Sequence, residues 1–138
     1  MSINEIRAGD RLLARHIPAA DAWGAGLKFF SGDGDFVQAG TWGYGAGKQL
    51  LPHIHNPVPR IAQWTQEVIY VRKGSLRASV YDSSESLVAE IDVGTGDLLV
   101  LLEGGHGYRI LEDGTEVLEI KNGPYAGAEV DRRRLAGK

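Results

Sequence analysis

The apolar residues of this chain come in short runs, and each run is closed by glycine, proline, aspartate or asparagine. The runs cover residues 27–30, 36–44, 49–55, 66–72, 76–81, 87–91, 97–102, 107–111 and 115–121, and they are rich in Val, Ile, Leu and Tyr. Turn residues recurring about every 8–12 positions predict an all-β sandwich or barrel. No segment carries a 3.6-residue apolar period over about 11 residues, so no long amphipathic helix is expected. Residues 3–23 fit either a first strand or a short helical turn. The 19 Gly in 138 residues are about double the ordinary share of about 7% and fit a turn-rich β fold.

A chain of 138 residues suits one domain. We expect a barrel core over residues 24–125, an N-terminal arm over 1–23 and a C-terminal tail over 126–138. The tail holds Arg132-Arg133-Arg134, which reads as a solvated terminus. With 15 Lys+Arg against 18 Asp+Glu, the net charge of −3 lacks the basic excess that phosphate-backbone binding needs. Nucleic acid is therefore not an expected partner. The longest aliphatic run, residues 98–102, falls far short of the roughly 20 residues that span a bilayer. Glu5 and Arg7 interrupt the N-terminal region before a signal-peptide apolar stretch builds. A cytoplasmic protein without a membrane partner is expected.

The chain has no Cys, which removes disulfides, thiolate metal sites and cysteine nucleophiles. Any metal site must use His and carboxylate. Of the four His, His53 and His55 stand two apart in a predicted strand, so both side chains leave one face. Two imidazoles on one face can chelate one ion. A carboxylate on the neighbouring strand and a further His would complete the site. Glu67 opens the next run, and His106 lies between Gly105 and Gly107 before a later one.

Residues 47–55 read Gly-Lys-Gln-Leu-Leu-Pro-His-Ile-His, and Glu67 is followed seven residues on by Gly74. This resembles the first cupin motif. Residues 96–106, Gly-Asp-Leu-Leu-Val-Leu-Leu-Glu-Gly-Gly-His, resemble the second. The family has three or four residues between the second His and the Glu, where this chain has 56–66. The resemblance implies an antiparallel cupin-type jelly-roll barrel with His53, His55, Glu67 and His106 binding a divalent metal. Iron, manganese, nickel and zinc all suit such a set. It also implies a homodimer.

Loops beside a site carry specificity, so Arg60 in the 56–66 insertion is a candidate for orienting a substrate carboxylate or phosphate. Trp64 either covers a ligand or anchors the loop. Tyr108 shares a strand face with His106 and is a candidate catalytic phenol or a packed filler. Glu119 is a candidate support for the site if the register of the last strand turns it inward. His16 lies outside both motifs and reads as structural. Residues 43–48 fail as a phosphate loop, because Trp42 stands where its first glycine belongs and Gln49 replaces Ser/Thr. The expected function is a metal-dependent small-molecule enzyme of dioxygenase, isomerase or lyase type. The alternatives are a non-catalytic binder of a small acid or sugar and a metal-free sugar-nucleotide epimerase or isomerase.

Overall fold

Leu98–Leu101 is apolar at every position, and a strand of that kind is stable only with both faces covered. A computed structural model, which describes residues 3–137, puts it there. Strand β1 (Asn4–Ala8) pairs with β2 (Arg11–Ile17), and helical turn α1 (Ala19–Ala22) follows. The order continues with β3 (Gly26–Phe29), β4 (Gly40–Gly43), β5 (Glu67–Lys73), β6 (Ser75–Tyr81), β7 (Leu87–Gly94) and β8 (Leu98–Leu101). It ends with β9 (Gly105–Ile110), β10 (Glu116–Lys121) and helical turn α2 (Ala128–Asp131). The strands form a five-stranded sheet β1-β2-β8-β5-β10, a three-stranded sheet β7-β6-β9 and the β3-β4 hairpin, with antiparallel pairing throughout. The protein is an all-β sandwich, as the turn spacing predicts.

The period of two explains both cores. Leu13, Ile69, Val71, Leu99 and Leu101 leave one face of the large sheet and meet Leu76, Ala78, Val80 and Val93 of the small one. Ile17, Val68, Leu98 and Val100 leave the opposite face, where Ala22, Phe30, Val37 and Ala39 cover them. Each buried aliphatic side chain contributes about 1.5–3 kcal/mol relative to exposure. The large sheet is thus covered on both faces, by the small sheet and by the 19–39 segment.

Residues 4–17 of the expected N-terminal arm are strands of the main sheet. Asp97 fastens them: its carboxylate accepts the Gly94 and Ala19 backbone N–H groups at 2.9 and 2.8 Å and meets Nε2 of His16 at 2.9 Å. His16 is buried in this latch, in line with its structural reading.

The expected strand over 49–55 does not form, and no strand occurs between β4 and β5. Pro52, Pro57 and Pro59 lack ladder donors and fix their own φ, which opposes strand pairing through this stretch. The expected strand over 36–44 shortens to β4, because residues 33–38 turn instead. The four motif glycines, Gly47, Gly74, Gly96 and Gly104, have φ of +90°, +87°, +88° and +81°. At Gly104 an added Cβ would also strike the carbonyl oxygen of Tyr81, so conformation and space both require glycine there.

Candidate functional site

Register decides which chemistry-bearing side chains share a space. His106, Tyr108 and Ile110 pair across from Val80, Ala78 and Leu76, so they face between the two sheets. On the large sheet, Glu67 shares its face with Ile69 and Val71. Lys121 and Glu119 pair across from Glu67 and Ile69 and share that face too. Leu118 and Ile120 turn the other way and are more than half exposed. The period of two therefore delivers Glu67, His106, Tyr108, Glu119 and Lys121 to one end of the inter-sheet space.

At its centre Nε2 of His106 lies 2.8 Å from Oε2 of Glu67. Glu67 is 4% exposed, and its Oε1 is buried with no hydrogen-bond partner. A buried carboxylate oxygen without a donor is costly. Burial pushes the Glu67 carboxyl upward, but the hydrogen bond to His106, proton sharing with Glu119 and the nearby cations outweigh it, so Glu67 stays below its ordinary value. Glu119 is raised, first by sharing its proton with Glu67, then by burial and by the Glu67 charge. Burial, followed by the charges of Glu67 and Glu119, also raises the Tyr108 hydroxyl above its ordinary 10.0. Tyr108 is thus a neutral donor at physiological pH, and its ring lies 5.4 Å from that of His106.

Glu67, His106 and Lys121 open into a cleft of about 400 Å³, lined also by Trp64, Arg11 and Arg132. That volume lies in the range of small-molecule sites, about 300–1,000 Å³. Trp64 both anchors and lines: its Nε1 donates to the Leu102 carbonyl at 2.7 Å, and its ring meets Phe36 edge-on at 5.1 Å. Gln66 fixes the same corner by donating to Leu102 and accepting from Phe36 N and Val37 N.

His53 and His55 are elsewhere. They lie exposed in the strandless 44–66 segment, with their rings 4.9 Å apart at 77° and Nδ1 of His53 3.3 Å from the Leu51 carbonyl oxygen. Arg60 is exposed in the same segment and does not line the cleft. The structure therefore brings together Glu67, His106 and Tyr108, and leaves His53, His55 and Arg60 outside. Among the described residues no group of three or more His, Asp or Glu side chains converges in a way that could hold an ion.

Sequence reasoning missed Arg11, Glu103, Lys121, Asp131 and Arg132, all of which line the cleft. Lys121 was within reach of it, because it stands two residues from Glu119 and so shares its strand face. The C-terminal residues carried no such signal. No helix among the described residues is long and apolar enough to cross a membrane. No family model matches the sequence, and neither the curated proteins nor the solved structures compared with it include a match.

Proposed function

We propose that the protein is a cupin-type small-molecule enzyme whose inter-sheet cleft holds a divalent metal, with Glu67, His106, His53 and His55 as its ligands. The observation that carries this reading is the Glu67–His106 pair. Once Glu119 has lost the proton it shares with Glu67, a buried carboxylate oxygen with no donor stands beside an imidazole, 39 positions away in sequence, in a cleft open to solvent. A cation satisfies that oxygen without a proton. The positive φ of the four motif glycines supports the same reading.

His53 and His55 join by closure of their loop. The chain from His55 to the anchored Trp64 spans up to about 30 Å when extended, so length does not prevent it. Iron, manganese, nickel and zinc all accept such a set, and the bound ion would supply a Lewis acid with positions open to a chelating substrate. Tyr108, whose ring packs beside His106, offers a neutral hydroxyl as hydrogen-bond donor behind the cleft, and Trp64 offers the cleft an apolar wall. Arg60 travels with the histidine loop to the rim. Exposed Leu27, Phe29 and Trp42 on the β3-β4 hairpin support pairing with a second copy of the chain.

Calorimetric titration of the EDTA-stripped protein with Mn²⁺ or Zn²⁺ tests this. One site is expected. Glu67→Gln and His106→Ala abolish it, and the His53→Ala/His55→Ala double variant weakens it by about tenfold or more. Because His53 and His55 are exposed, that double variant should keep the thermal midpoint of the metal-free protein. Metal affinity unchanged by Glu67→Gln overturns the reading.

The same pair favours a second reading, metal-free acid–base catalysis. His106 is within hydrogen-bond distance of an ionised carboxylate and partly open to the cleft, the geometry of a general base with its orienting partner. Turnover that survives complete metal removal selects this reading.

A further inference from the structure

The C-terminal residues do not trail into solvent. After β10, Asn122 accepts the Gln66 backbone N–H and donates to the Trp64 carbonyl. The chain then crosses the mouth of the cleft. Asp131 on α2 accepts the Thr65 hydroxyl, on the side of the large sheet. Arg133 donates to Glu85 at 3.0 Å, in the turn between β6 and β7 on the side of the small sheet. The Ala136 N–H donates to the same carboxylate, and Leu135 packs so closely on Gly105 that an added Cβ would lie 3.0 Å from it. The segment is a strap tied to both sheets.

The strap carries Arg132 into the lining of the cleft. The other cations there are already matched. Arg11 forms a two-pronged pair with Glu103, and Lys121 lies 3.5 Å from Glu119. The Arg132 guanidinium has no ion-pair or hydrogen-bond partner among the described residues. A guanidinium presents five donors in a planar fork that matches a carboxylate or phosphate with two parallel hydrogen bonds.

We propose that the cleft recognises a small molecule bearing a carboxylate or phosphate group, and that Arg132, held over the mouth by the C-terminal strap, is the residue that binds this group. The proposal rests on the cleft being the working site, as argued above, but not on its metal. It moves the anion-recognising role expected of Arg60 to a residue on the other rim.

The test is calorimetric titration of the full-length, EDTA-stripped protein with inorganic phosphate and with malonate, at ionic strength fixed with potassium chloride. At least one anion should bind saturably at one site, and the tighter of the two identifies the oxyanion. Arg132→Gln should weaken it about tenfold or more, and Arg132→Lys, which keeps the charge without the fork, by less. Arg134→Gln, in the same basic run but outside the cleft lining, should bind as the wild type does. Absence of saturable binding, or equal weakening by Arg132→Gln and Arg134→Gln, overturns the proposal. A parallel Mn²⁺ titration separates it from the metal reading. Anion binding through Arg132 in a protein that takes no metal upholds the strap and removes the metal; metal binding without anion binding does the reverse.

Discussion

Glu119→Gln should stabilise the metal-free protein at neutral and alkaline pH and leave it unchanged near pH 4. In the wild type the Glu119 carboxyl is raised above its ordinary value of 4.5, first through the proton it shares with Glu67. A raised value means that the folded state holds this proton more tightly than the unfolded chain does. Its contribution is complete below 4.5 and is lost as pH rises through the folded value. Above that point two carboxylates face each other. Glu67 has the opposite sign: its value is lowered, so its contribution is present above 4.5 and is lost as pH falls through its folded value. The two effects therefore fall in separate windows. The Glu119 side chain is 47% exposed, so solvent screening limits the repulsion to about 0.2–1 kcal/mol. Glutamine keeps a donor toward Glu67 at every pH, and loss of the Lys121 contact offsets part of the gain. With a urea slope of about 1–3 kcal/mol/M, a gain near the upper end moves the unfolding midpoint by about 0.3–1 M. Urea melts of both proteins at pH 4 and pH 8 in EDTA read this out. The same midpoint difference at both pH values, or a less stable variant at pH 8, refutes the argument.

Leu99→Ala, at a fully buried position of the central strand, should lower unfolding free energy in urea by about 2.7–5 kcal/mol; a loss below about 1 kcal/mol would contradict the packing between the sheets. Gly104→Ala adds left-handed strain to a collision with the Tyr81 carbonyl and should lower stability by about 1–3 kcal/mol; a neutral result by thermal melting would contradict the turn. Asp97→Ala removes the acceptor of the Ala19 and Gly94 N–H groups and the partner of His16, and should cost about 2–4 kcal/mol. Amide exchange should quicken at Ala19 and Gly94 in that variant, and unchanged protection there would count against the latch.

The strands from β5 to β10 were legible because their apolar runs end at turn residues, glycine in most cases and Asp82-Ser83-Ser84 after β6, that the fold uses as turns. The first two strands were not, because Arg11–Ile17 mixes Arg15 and His16 into its apolar positions, and their short-range partners, Asp35 and Asp97, lie on distant segments. The 49–55 stretch misled in the other direction. Leu51, His53 and His55 alternate like a strand, but the prolines beside them withhold ladder donors. Glu67 and His106, 39 residues apart, meet at 2.8 Å because each sits near a strand end and faces the space between the sheets. Glu119 depended on register, which alternation alone leaves open by one residue. Arg132 was illegible because a short polar tail has the composition of a solvated terminus. Only its ties to Thr65, Gly105 and Glu85 distinguish the strap from one.

As proposed above, the Glu67–His106 pair is half of a metal site which the His53–His55 loop completes. Elemental analysis of protein purified without a metal-affinity tag tests it most directly. Close to one divalent metal ion per chain is expected, lost in Glu67→Gln and His106→Ala and depleted in the His53→Ala/His55→Ala variant. Less than about 0.2 equivalents of any divalent metal, in a protein that cannot be loaded afterwards, contradicts it.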